Sequence, residues 1–156
     1  LNIFYLSEEP SLAAFYHCDK HVVKMAVETV QILSTALFNV GVEDKKLYRP
    51  THRNHPCVLW AMQRRNGEWL YSLGVHLMFE YKSRYGRDHR SGLVLPLIEP
   101  HLLKLIDNGC GFSAPPQCMP DDCKQADCVE AYREYYRKYK TFAKWKFTGA
   151  PYWYNK

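Results

Sequence analysis

The sequence predicts a mainly α fold: a compact single-domain helical bundle over residues 1–156, with a central buried helix and a Pro-rich loop. Three observations predict it. From Val22 to Leu37 almost every direction of a helical wheel is apolar, so this helix belongs in the middle of the molecule. Trp69, Leu70, Leu73, Leu77 and Tyr81 recur at helical spacing. No alternating apolar run is long enough for a sheet. The length suits one domain, and 47% hydrophobic residues argue against disorder.

The elements follow in order. The opening LNIFYL reads as a short strand or extended segment. SEEPSLAAFY carries a serine, acidic residues and a proline where a short helix would begin. Asp19 is the expected N-cap of the long helix over about 20–38, and Gly41 stops it. Residues 42–54 form a loop. Pro56 suits the first position of a helix running to about 65, and Asn66-Gly67 is expected to break or restart it. A further helix spans 68–85 and closes at Gly86. PLIEPHLLKLIDNG gives a short helix, GCGFSAPPQCMPDDCK a fixed Pro-rich loop, residues 126–146 a last helix, and GAPYWYNK an extended tail.

The charge of +5 favours a polyanionic partner, though only modestly. Twelve tyrosines and four tryptophans beside many Lys and Arg suit base stacking and phosphate contacts, and equally suit a small aromatic core. No apolar run approaches the roughly 20 residues of a membrane span, and no basic segment precedes an apolar stretch at the start. A cytoplasmic setting without membrane contact is therefore expected. Neither a GKS/T P-loop nor a GxGxxG is present, and no cofactor is expected. Of the six cysteines, four follow a C-x7-C-x4-C-x4-C pattern from Cys110 to Cys128, which is a weak zinc signal. Reduced structural thiols are expected, with a local disulfide or zinc clip as the alternative. His17, Cys18, Asp19 and His21 cluster on paper, but no metal is assigned there.

Three constellations carry candidate chemistry. On the long helix, His21, Lys24, Glu28, Gln31 and Thr35 fall in one stripe. A mostly buried helix turns such a seam toward a cleft, where Glu28 can move protons and His21 can titrate near neutrality. The same stripe also describes a solvated edge with one Lys–Glu pair, or a hydrogen-bonded core histidine. THRNHP places His52, Arg53, Asn54 and His55 before a helix start, whose free N–H groups suit a phosphate. In the last helix, Arg137, Lys140 and Lys144 alternate with tyrosines and can face a phosphate backbone, with Trp153 in the tail as a stacking residue. Gln117 in the Pro-rich loop is the expected hydrogen-bonding residue of a cleft wall.

These residues carry two resemblances. NIFYL, CDKHVVKM, QILSTA, HRNHPCVLWA, EYKSRYG, GFSAPPQCMPD, EAYREYY and PYW look like a family of small bacteriophage proteins of unknown function, over nearly the whole chain. An infected bacterial cell is the setting this implies. More distantly, the extended start, the helix with an ionic seam, RNHP, EYKSRYG and the aromatic tail are similar to pyrimidine-dimer DNA glycosylases of the endonuclease V type. That resemblance implies a compact α-helical enzyme with an N-terminal α-amine as nucleophile and a glutamate on the first long helix. Carried onto this chain, these are Leu1 and Glu28. CDKH stands near where that family carries an Arg-Glu pair.

Two classes of function follow. One is a DNA glycosylase/AP-lyase-like enzyme acting at the base–sugar bond of damaged or modified DNA, or of a nucleotide. An α-amine is far less basic than a lysine and can attack C1′, while Glu28 stabilises the sugar cation or moves protons. His21 and Lys24 would tune Glu28 or hold a phosphate, and aromatics would fill the gap left by an extruded base. The alternative is a non-enzymatic phage protein that binds nucleic acid or inhibits a host factor. If the ionic seam meets Leu1 in a recess, the enzyme is favoured; if it faces open solvent far from Leu1, the binder is.

Overall fold

The computed structural model describes residues 1–155 and is mainly α. Its helices are α1 (Pro10–Tyr16), α2 (Asp19–Asn39), α3 (Pro56–Ala61), α4 (Arg64–Tyr85), α5 (Leu95–Ile98) and α6 (Cys128–Tyr139), with short 3-10 turns between α4 and α6. Among the described residues there is no strand, only an isolated bridge between Gln63 and Ile106. LNIFYL is extended and buried over Ile3–Leu6.

The all-round apolar character of α2 places it at the centre. Val22, Met25, Ala26, Val30 and Leu33 are 2% exposed or less. One edge stays open, at Val23 and Lys24. α4 packs along both α2 and α1. Full burial of a side chain such as Leu33 contributes roughly 1.5–3 kcal/mol.

Three boundaries differ from the sequence reading. Cys18, not Asp19, is the N-cap of α2. Asp19 lies one position later, where its carboxylate accepts from the Arg84 Nη1 at 3.2 Å and from the Lys146 backbone N–H at 2.9 Å. The Arg84 side chain is 1% exposed, pairs also with Glu80, and donates to the Phe15 and His17 carbonyls, so it locks the α1–α2 corner onto α4. The break after α3 falls at Met62-Gln63, and Asn66-Gly67 continues α4. Asn66 uses its side chain to hold the Pro-rich loop through Ser113. Gly67 gives room to Leu105, whose Cδ1 would lie 2.3 Å from an added Cβ. The last helix is shorter than expected and ends at Tyr139, after which the chain turns to bury Trp145 and Trp153. Gly86 does close α4, in the left-handed region at φ 71°.

The Pro-rich loop is held at several points. The Trp60 indole donates to Ser113 O, Cys118 N–H to the Tyr132 hydroxyl, and the Cys128 thiol to Pro115 O.

Candidate active site

The extended start runs through the core and delivers Leu1 to the middle of α2. Asn2 anchors it: its side-chain amide donates to Cys118 O at 2.9 Å, and its Oδ1 accepts the Ile3 N–H at 2.8 Å. The Tyr132 hydroxyl lies 3.1 Å from the same Oδ1 and 2.6 Å from Pro116 O. Thus α6 and the Pro-rich loop together position the first residues.

The α-amine of Leu1 lies 3.5 Å from Glu28 Oε1, with the Leu1 and Glu28 side chains 4% and 12% exposed. Lys24 Nζ, on an exposed side chain, stands 3.7 Å from Glu28 Oε2. That second oxygen is buried and accepts no hydrogen bond from the described residues. The recess therefore holds an amine, a carboxylate with an unused acceptor, and an exposed cation at its rim. Three clefts lie elsewhere, the first of about 680 Å³ between Ser34, Phe38 and Tyr48, and none of them is lined by Leu1 or Glu28.

His21 shares the stripe with Glu28 but enters a different environment. It is 4% exposed, its ring stacks on Phe4 at 4.4 Å, and Nδ1 lies 2.6 Å from the Tyr136 hydroxyl. Burial, followed by the charges of His17, Lys140 and Lys24, pushes it down to about 3. His21 is thus a neutral core histidine near pH 7, which does not suit the near-neutral titration expected of it.

Of the HRNHP segment, His55 feels the charge of the Leu1 amine. It caps α3, accepting the Cys57 N–H on Nδ1 at 3.1 Å. Its basicity is lowered by burial first and then by the nearby Leu1 ammonium. The cap uses one N–H of a six-residue helix, which weakens the expected phosphate site. Arg53 folds back on the end of α2, donating to Asn39 Oδ1 and covering Phe38. His52 is exposed, at φ 50°, and bonded to the Thr51 hydroxyl; Asn54 is exposed.

The remaining candidates divide. Lys144 is exposed, and Lys140 is half-buried with Nζ 4.7 Å from the Tyr135 ring centroid. Arg137 is spent inside the protein, on Glu130, Glu134 and Trp153 O. Trp153 is 1% exposed among Tyr16, Tyr136 and Tyr154, so its ring offers no face to a base. Gln117 closes its own loop by exchanging two hydrogen bonds with the Gln125 backbone. Aromatic and basic residues at helical spacing do not reveal which ones the tail will cover.

Asn2, Tyr132, Cys57 and Cys118 are joined at the start of the chain, and sequence reasoning assigned none of them to the site. Cys57 and Cys118 have sulfurs 3.8 Å apart. The Cys57 thiol is held protonated, and its hydrogen bond pulls Cys118 down to about 7. Asn2 follows directly on the proposed nucleophile, which was the one available signal; the others come from distant segments.

No curated protein and no solved structure matches the chain. Residues 1–91 match the family model described as pyrimidine dimer DNA glycosylase, a span that contains Leu1, Glu28 and the HRNHP segment. With the match covering more than half of the sequence, the chain belongs to the pyrimidine dimer DNA glycosylase family, which gives it a DNA glycosylase-like role.

Proposed function

We propose that the protein excises damaged pyrimidines from DNA, with the Leu1 α-amine as nucleophile and Glu28 as its acid/base partner. The observation that carries this reading is the 3.5 Å approach of the amine to Glu28 Oε1 in a recess that hides both side chains. The unprotonated amine attacks C1′ of the damaged nucleotide, the base leaves with the glycosidic electron pair, and opening of the sugar ring yields an imine between Leu1 and C1′. Glu28, as a carboxylate, stabilises the positive charge that develops on the sugar, then takes the proton shed by the amine nitrogen and passes it to O4′ as the ring opens. Its free Oε2 is the natural partner for that charge. Lys24 at the rim contributes a phosphate contact, and His52, Asn54, Lys140 and Lys144 extend that contact over the surface.

This role requires Leu1 to carry a free amine in the active protein, which N-terminal sequencing reads directly. The decisive experiment is borohydride trapping on ultraviolet-irradiated and plain duplex DNA. A covalent adduct confined to irradiated DNA and mapped by mass spectrometry to the Leu1 peptide is expected. An adduct on a lysine would overturn the assignment of the nucleophile. Tight binding with neither trapping nor base release would favour the non-enzymatic binder.

A further inference from the structure

His55, Cys57 and Cys118 converge from two parts of the chain. The two sulfurs and one imidazole nitrogen all lie within 4.8 Å of one another. The sulfur separation of 3.8 Å is far beyond a disulfide bond of about 2.05 Å. It matches the edge of a tetrahedron around zinc, since two Zn–S bonds of about 2.3 Å at the tetrahedral angle place the sulfurs roughly 3.8 Å apart. Cys57 is fully buried on the first turn of α3, and Cys118 is half-buried in the Pro-rich loop. Cys118 O accepts the Asn2 side-chain amide at 2.9 Å, so the cluster adjoins the first residues of the candidate active site.

We propose that His55, Cys57 and Cys118 form a binding site for one zinc ion, with the fourth vertex left to solvent. Two thiolates and an imidazole select a borderline-soft cation such as zinc over magnesium or calcium. Binding releases the two thiol protons, and the two sulfur charges balance the ion. His55 Nδ1 accepts the Cys57 N–H, so ligation through Nδ1 exchanges that cap for the metal bond. Cys57 and Cys118 are 61 residues apart, so the ion ties the start of α3 to the Pro-rich loop. The loop also holds Asn2 through Cys118 O, which makes the ion a brace for the first residues.

The test uses the full chain, reduced and stripped with a chelator, and needs no activity measurement; its outcome is therefore separate from that of the glycosylase assignment. Titration with cobalt should give thiolate-to-cobalt charge-transfer absorption and intense tetrahedral ligand-field bands that saturate at one equivalent and are displaced by zinc. Cys118→Ser, and His55→Asn, which retains a capping oxygen, should weaken binding beyond the roughly 10–100-fold typical of losing an outer-shell partner. Zinc should raise the melting temperature of the parent protein, and a chelator should reverse the rise. That measurement does not depend on the folding of any variant. Absence of thiolate–cobalt bands in the reduced protein, or unchanged bands in both variants, overturns the site. So does a melting temperature indifferent to zinc. A pair that readily oxidises to a Cys57–Cys118 disulfide yet binds no cobalt when reduced also overturns it.

Discussion

Glu28 and His21 lie on the same stripe of α2, about two turns apart, and the fold treats them in opposite ways. Glu28 meets the Leu1 amine and an exposed lysine, keeps one oxygen without a hydrogen bond among the described residues, and stays at the edge of water. His21 meets Phe4, Tyr136 and Phe142 and is sealed in an aromatic core. A shared helical face fixes direction, but what a side chain meets depends on the elements packed against that part of the face. Here the extended N-terminal segment crosses the stripe, so one turn faces its first residue and another faces its Phe4 ring.

The largest expected effect is at the Glu28 end. Glu28→Gln keeps the shape and removes the charge, and should reduce single-turnover base release by about 10²–10⁴-fold while DNA affinity changes little. Paired binding and single-turnover assays check this; full activity in the variant would remove Glu28 from the chemistry and erase the contrast with His21.

The next effect concerns the buried histidines. His21 is pushed down to about 3 and the fully buried His17 to about 4, both mainly by burial. The native protein thus refuses protons that the unfolded chain accepts below the ordinary histidine value of 6.5. Stability from these groups is present above that value and is lost as pH falls toward the folded values. For His17 the loss is on the order of 3 kcal/mol. Urea midpoints between pH 7 and 4 should fall steadily; a flat profile down to pH 5 would show that these rings are not held neutral.

A smaller effect tests the His21 end alone. Tyr136→Phe removes the hydroxyl that bonds His21 Nδ1 at 2.6 Å and lies 3.4 Å from Cys18 N. It should cost about 1–3 kcal/mol of stability and leave turnover per folded molecule unchanged. A large loss of turnover without destabilisation would bring His21 back into the catalytic site. The smallest effect is expected for Lys140→Ala, which should weaken DNA binding slightly and reduce the slope of log affinity against log salt by about 0.9. An unchanged slope would mean that Lys140, already lying over Tyr135, makes no phosphate contact.

Much of the architecture could be read from residue order alone. The all-round apolar character of Val22–Leu37 required a central helix, because no other placement hides so many directions at once. The stop at Gly86 was legible because only a glycine enters the left-handed region there without strain. The helical stripe also singled out Glu28. Other features depended on contacts that spacing does not encode. Asp19 looked like a cap, but the buried Arg84, 65 residues away, claimed its carboxylate. Trp153 and Arg137 had the composition of a nucleic-acid surface, but the tail folded over α6 and used both in packing. Cys118 looked like one of a local group of four, yet its sulfur lies beside Cys57. Local sequence determined periodicity, caps and turns, since these depend on neighbours within about four residues. Only the tertiary structure decided which charges met, because closing the long loops between them is driven by burial of the whole core.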